Sequence, residues 1–257
     1  MAEETQSIHE FDFNLICEYF SHLERQGPGS PEVTLKALSF IDNLNDESQI
    51  ADLGCGTGGQ TLILARAAPG TITAIDLFPQ FINILNENTA KQGLQDRIKG
   101  VVGSMDQLPF SAGQLDMIWS EGAIYNIGFE RGLKEWRTFL KTGGHIAVSE
   151  LSYFRDDPPA ELDAFWQTEY PDIDMVSSNL AKLEKAGYAP VATFLLPEKC
   201  WTDNFFVPQK AAQEVFLRKY NGNKAAEDLV ANQKHESELY SRYKQYYGYA
   251  FYIGRKY

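Results

Sequence analysis

The stretch ADLGCGTGGQ crowds Gly54, Gly56, Gly58 and Gly59 into one short loop. A glycine loop that follows a strand and opens a helix lets main chain, rather than side chains, approach a ligand. Glycines packed this densely cost stability through chain entropy, so a bare turn is a poor explanation for them. Asp76, at the end of AIDLF, stands where a carboxylate roughly 20 residues past such a loop holds a ribose diol. Its two oxygens suit two adjacent hydroxyls. Loop and acid together indicate an adenosine-type ligand. Gly54, Gly56 and Gly59 fit the G-x-G-x-x-G of nicotinamide enzymes, and the same loop suits S-adenosylmethionine, so the residues alone leave both open.

The elements around the loop alternate. QIADL predicts a first strand, TLILARAA a helix, TITAIDLF a second strand and PQFINILNENTAKQG a helix. Pro79 suits the first turn of that helix and Gly93 its end. IKGVVG and QLDMIWSE predict the third and fourth strands, and 122–140 reads as helical although Gly128 and Gly132 weaken it. GGHIAVSEL predicts a fifth strand after a tight Thr142-Gly143-Gly144 turn. Repeated strand–helix–strand units imply right-handed crossovers and a mostly parallel sheet, an α/β, Rossmann-like doubly wound fold. Ligands of such sheets lie beyond the carboxyl ends of the strands.

Two regions flank the alternation. Residues 1–48 are expected to form a helical cap, with Phe13, Ile16, Phe20 and Leu23 on one helical face, then a break at GPGSPE with Ser30 as N-cap and Pro31 in the first turn. Residues 49–151 are the ligand-binding core. Residues 152–257 complete the sheet, with APVATFLLP a strand, then a helical insertion, then the strand-like YYGYAFYIGRKY. All three are expected to form a single domain.

The bulk properties narrow the function classes. The chain has 257 residues and a formal charge of -12, with no basic run, which argues against nucleic-acid backbones and anionic membrane surfaces as partners. No apolar run is long enough to span a bilayer, and the acidic start MAEETQSIHEF is no secretory signal. Cys17, Cys55 and Cys200 fit neither a disulfide framework nor a metal knuckle, so a reducing, cytoplasmic setting and no metal are expected.

DLGCGTGG resembles the first motif of class I S-adenosylmethionine-dependent methyltransferases. The resemblance extends to Asp52 before the first glycine, to GSMDQLPF after the third strand, to LDMIWSEGAIYNI at the fourth, and to LKTGGHIAVSE, where Thr142 replaces a usual proline. It covers residues 49–151 and is similar to the small-molecule branch that includes ubiquinone and sterol methyltransferases. It implies a sheet of seven strands ending in an antiparallel one, S-adenosylmethionine as cofactor, and a small-molecule methyl acceptor. Carried over position by position, Gly54, Cys55 and Gly56 pass close to the methionine part and Asp52 orients the loop. Asp76 takes the ribose hydroxyls, Leu77 packs on the adenine, Met105 and Asp106 border its edge, and Ser120 and Glu121 close the methionine end. Many relatives carry an acid where Ser104 stands; Asp106 or the backbone near Met105 replaces it.

The flanking segments of that family form a lid over cofactor and acceptor. This points to the cap aromatics Phe11, Phe13, Tyr19 and Phe20, to Tyr125 and Asn126, and to Trp201, Phe205 and Phe206. Tyr19, Tyr125, Asn126 and Trp201 are the candidate acceptor contacts, and Glu121 and Tyr125 the candidate catalytic residues. His9 and His22 are surface positions and His145 a structural one. RDDPPAELD reads as a solvated linker. The aromatic C-terminal strand is a candidate face for a homodimer. Two other functions stand beside methyl transfer: a nicotinamide-dependent oxidoreductase, which lacks a hydride-transfer constellation here, and a non-catalytic S-adenosylmethionine-binding protein.

Overall fold

The computed structural model describes residues 13–257; Phe11, His9 and the rest of 1–12 lie outside the described residues. The chain begins with α1 (Phe13–Ser21) and α2 (Pro31–Leu38). The Ser30 hydroxyl accepts from the Val33 amide and Pro31 occupies the first turn, as the sequence requires. The alternation follows: β1 (Gln49–Leu53), α3 (Gly59–Ala67), β2 (Thr71–Asp76), α4 (Pro79–Lys91), β3 (Ile98–Val102), β4 (Leu115–Glu121), α5 (Phe129–Trp136) and β5 (Leu140–Tyr153). Then come α6 (Ala160–Glu169), the two-residue β6 (Asp174–Met175), α7 (Val176–Lys185) and β7 (Tyr188–Leu195). The insertion runs from α8 (Lys199–Trp201) through a π-turn at Thr202–Phe206 into α9 (Val207–Lys219) and α10 (Lys224–Tyr243), and β8 (Tyr247–Lys256) ends the fold.

The strands lie in the order β3-β2-β1-β4-β5-β8-β7, with β6 pairing beside β5. β3, β2, β1, β4 and β5 are parallel neighbours, and β8 runs antiparallel to both β5 and β7. Strand order reverses between β1 and β4, the place where an open α/β sheet opens a crevice for a ligand. Helices cover both faces, so the central strands carry apolar side chains on each side. Ile50, Leu64, Ile72, Leu85, Trp119 and Phe251 form one core; Leu53, Ile118, Trp136, Ile146, Val148 and Tyr252 form the other. Each such buried side chain contributes about 1.5–3 kcal/mol through area removed from water. A third, aromatic cluster joins β5 and β8 to the insertion through Trp166, Trp201, Phe206, Tyr240 and Tyr247.

Four sequence readings change. The expected helix over 122–140 is split by Gly128 at φ +86 into a 3-10 turn (Ile124–Ile127) and α5, because only glycine adopts that backbone readily. Thr142-Gly143-Gly144 does not precede β5 but bulges within it: pairing jumps from Leu115–Leu140 to Met117–His145. Among the described residues the sheet holds eight strands where the resemblance implied seven, because the two-residue β6 pairs beside β5. The face of α1 that carries Phe13, Ile16 and Phe20 looks into the cavity described below, while Leu15 and Tyr19 pack on Phe216 and Leu229 of α9 and α10. Finally, β8 is bonded on both edges within the chain, so it has no free edge with which to pair a second copy.

Candidate functional site

The glycine loop connects β1 to α3 at the switch point. Gly54 and Gly56 have φ of +70 and +56, a backbone region costing a side-chain-bearing residue about 1–2 kcal/mol. Space is scarce as well: a Cβ on Gly54 would stand 2.3 Å from Ala123 Cβ, and one on Gly56 2.0 Å from Gln26 Oε1. The loop's first amides are already engaged. Those of Gly54 and Cys55 donate to the Ile75 carbonyl at 2.8 and 3.0 Å, that of Gly56 to Asp76 Oδ2 at 2.8 Å, and that of Thr57 to Gln26 Oε1 at 2.9 Å. What these residues present is therefore bare main chain at close range, not a fan of free donors.

A cavity of about 630 Å³ opens in front of this loop, walled by Gly54, Cys55, Gly56, Asp76, Leu77 and Met105 among others. Such a volume suits a nucleoside-sized ligand. Asp76 reaches it from the end of β2. Its carboxylate also accepts from the Phe78 amide at 3.0 Å, and burial, opposed by these amide bonds, pushes its pKa up. Leu77, exposed next to it, supplies an apolar face. Met105 is steadied by Trp136, whose indole N–H donates to the Met105 carbonyl at 3.2 Å. Asp106 lines the wall too, but its carboxylate holds Arg131 at 2.7 Å and lies 3.3 Å from the Ser104 hydroxyl, which donates to it.

Several expected contacts stand behind the wall rather than on it. Asp52 is fully buried beneath the loop, accepting from Thr61 Oγ1 at 2.6 Å and Gln60 Nε2 at 3.4 Å. Burial pushes its carboxyl up to about 7. It reaches the cavity only through Gln60, which lines it. The Ser120 hydroxyl, also fully buried, donates to the Leu53 carbonyl at 2.8 Å and ties β4 to β1. Tyr19 is not an acceptor contact: its hydroxyl donates to Gln209 at 2.7 Å and accepts from Gln213 at 3.0 Å inside the helical core. Phe20, the next residue, and Ile16, about one turn earlier, face the cavity instead.

Glu121 does face the cavity, but its charge is taken. Arg25 pairs with it at 2.9 Å, and Thr34 Oγ1 and Trp119 Nε1 donate to its other oxygen at 2.7 and 3.0 Å. With both oxygens engaged by these donors, Glu121 anchors the chain around Arg25. Gln26 completes that anchor. Its amide donates to the carbonyls of Phe20 and Leu23 and to Thr57 Oγ1, laying the N-terminal segment across the glycine loop. Neither Arg25 nor Gln26 is visible as a site residue in the sequence; the only signal is the glycine–proline break just after them.

A second chamber of about 200 Å³ adjoins the first and shares Phe20, Gln26, Gly27, Pro28, Gly122 and Tyr125 with it. Tyr125 stands at this junction, half-exposed, its ring edge-on to Tyr170 at 5.7 Å. Asn126 lines the larger chamber and caps its own turn by donating to the Ala123 carbonyl. Trp201 walls the smaller chamber while stacked on Tyr240 at 4.4 Å. Phe205 lines this chamber as well. A more open groove along α5 is walled by Glu130, Arg131, Lys134, Glu135 and Lys182. Its charges pair largely with one another, and no glycine-loop residue reaches it. Among the described residues no group of acids, histidines and cysteines is arranged for a metal, and no helix is long and apolar enough to cross a membrane.

Residues 50–144 match a family model described as a methyltransferase domain. An erythromycin 3''-O-methyltransferase from Saccharopolyspora erythraea is 30% identical over 119 residues, 44% of this chain and 38% of that protein. A sterol 4-C-methyltransferase from Caenorhabditis elegans is 30% identical over 112 residues, 42% of this chain and 32% of that one. The matched region thus spans less than half of either relative. Among solved structures, a SAM-dependent methyltransferase from Geobacter sulfurreducens in complex with S-adenosyl-L-homocysteine superposes with a TM-score of 0.81 at 19% identity, covering 94% of this chain and 97% of that one. Loop, switch point and strand order agree with this match: residues 50–144 are similar to a methyltransferase domain, and the fold is that of the superposed structures.

Proposed function

We propose that the protein transfers a methyl group from S-adenosylmethionine to a small-molecule acceptor. The observation that carries this is the pair of adjoining chambers at the switch point. One is walled by the glycine loop, Asp76 and Leu77; the other is small and aromatic; they meet at Gly122 and Tyr125. The residues present fit the cofactor: a cradle at Gly54 and Gly56 that any Cβ would fill, and a carboxylate at Asp76 with lone pairs beyond those its two amides use. When bound, S-adenosylmethionine supplies a methyl carbon attached to a sulfonium, with a neutral thioether as leaving group.

The chain's own contribution is alignment and exclusion of water. Asp76 holds the ribose hydroxyls and Leu77 and Met105 flank the adenine, while Asp106, paired with Arg131, leaves adenine recognition to the backbone near Met105. Gly54, Cys55 and Gly56 bring main chain against the methionine part, with Asp52 and Ser120 bracing that loop from behind. Gln26, Gly27 and Pro28 cover the junction, and Tyr125 and Asn126 border the acceptor's approach. Holding two reactants in line accounts for about 7–11 kcal/mol of barrier lowering. The shape of the small chamber, not area of contact, then limits which acceptors react. The free, buried Cys17, Cys55 and Cys200 support a reducing, cytoplasmic setting.

Calorimetric titration tests the reading. S-adenosylhomocysteine should bind to one site and NADH should not, and Asp76→Ala should weaken the first by at least about tenfold, the loss of a charge-assisted hydrogen-bonded pair. Binding of NADH in place of S-adenosylhomocysteine would refute it. Methyl transfer to candidate acceptors, followed by mass spectrometry, separates an enzyme from a cofactor-binding protein.

A further inference from the structure

The smaller chamber has a definite chemical character. Phe165, Trp166, Tyr170, Trp201 and Tyr249 supply ring surface, and the charged groups on its wall are Glu169 and Glu236; among the described residues no lysine, arginine or histidine lines it. Among the described residues the larger chamber adds no free cation, because its Arg25 is committed to Glu121. An acceptor carrying a carboxylate or phosphate would find no counter-charge in either space. With a neutral acceptor, the half-buried Glu236 would face ring surface and a second acid, Glu169, with no cation among the described residues of the wall. The wall also holds unpaired polar atoms: Trp166 Nε1, in a residue only 6% exposed, and Gln233 Oε1 are buried without partners among the described residues. Buried polar groups left this way cost about 1–3 kcal/mol each, so a polar guest is the economical explanation. The volume, about 200 Å³, is below the roughly 300–1,000 Å³ of cavities that take drug-sized ligands.

We propose that this chamber receives a small amine in its cationic form as the methyl acceptor, an assignment that rests on the larger chamber holding S-adenosylmethionine. Aromatic faces attract a cation through their ring quadrupoles, and Glu236 and Glu169 complete the counter-charge. Gln233 Oε1 accepts from an N–H of the guest, and the Trp166 donor suits a hydroxyl on the same small molecule. An ammonium must lose a proton before its nitrogen can attack. Glu236 takes that proton, its carboxyl pushed up to about 7 by burial and by Glu169. The freed lone pair forms the new carbon–nitrogen bond as the carbon–sulfur bond breaks and its electron pair stays on sulfur. The methylated nitrogen emerges cationic.

The test uses the full chain saturated with S-adenosylhomocysteine and three probes of like shape: choline, the neutral 3,3-dimethylbutan-1-ol and the anionic 3,3-dimethylbutanoate. Choline should bind on the order of tenfold tighter than the alcohol, as desolvated cation–π contact requires, and the carboxylate weakest. Glu236→Gln should reduce the preference for choline severalfold while leaving S-adenosylhomocysteine affinity unchanged, which also reports an intact fold. If S-adenosylhomocysteine binds but the alcohol equals or exceeds choline, the amine assignment is overturned and the cofactor reading stands. If S-adenosylhomocysteine itself does not bind, both fall.

Discussion

Glu150 lies near the end of β5, 1% exposed, with the Tyr170 hydroxyl beside its carboxylate. Burial lifts its carboxyl from 4.5 to about 8. In the unfolded chain it releases its proton near 4.5, in the folded one near 8, so between those pH values the native state binds the extra proton and stability falls as pH rises. At about 1.4 kcal/mol for each pH unit of the gap, the penalty is of order 3 kcal/mol at pH 7 and of order 5 above pH 8. Glu150→Gln keeps the shape and an oxygen that can accept from Tyr170 but removes the titration. Its advantage over the parent should vanish below pH 4.5, grow through the window and level off above pH 8. At roughly 2–4 °C for each kcal/mol in a chain of this size, the unfolding midpoint at pH 7 should rise by roughly 6–12 °C. Thermal melts of both proteins from pH 4 to 9 measure the difference curve, in which the parallel contributions of Asp52 and Glu236 cancel. Parallel curves, or a gain that shrinks as pH rises, would show that Glu150 is compensated in solution and would refute the reasoning.

Further outcomes follow from the site. Gly54→Ala should abolish S-adenosylhomocysteine binding in calorimetry and lower stability by about 2–5 kcal/mol, the sum of a positive φ and an overlap with Ala123; wild-type affinity would mean that the loop yields. Arg25→Met leaves Glu121 buried without its cation and should cost about 3–5 kcal/mol in denaturant unfolding, more than the double change Arg25→Met with Glu121→Gln. Tyr19→Phe should cost about 1–3 kcal/mol by stranding Gln209 and Gln213 and leave the acceptor KM unchanged; a raised KM with unchanged stability would restore Tyr19 to the acceptor site.

The parallel core was legible because its signals are local. QIADL, TITAIDLF and LDMIWSE are short apolar runs closed by loops, and each became a strand within a residue or two of the expected bounds. Gly54, Gly56, Asp76 and Met105 were legible for the same reason, since strand ends and motif spacing put them at one rim. Side-chain direction was not. Asp52 and Asp76 both belong to strands entering the crevice, yet one is sealed under the loop and the other lines the cavity, and only the packing of α3 decides between them. Tyr19 and Phe20 are neighbours on α1 whose fates were exchanged, because the α9–α10 pair that buries Tyr19 lies some two hundred residues away along the chain, at Gln209 and Gln213. Arg25, Gln26 and Glu236 belong to no periodic pattern or motif, and their roles arise from tertiary approach alone.

The short run Gln26-Gly27-Pro28 walls both chambers at once. If a guest that enters one chamber shifts this segment, the other chamber changes shape with it. Thermodynamic reciprocity then demands that whatever factor the first imposes on the affinity of the second is returned in full, so titrations run in either order should yield the same coupling.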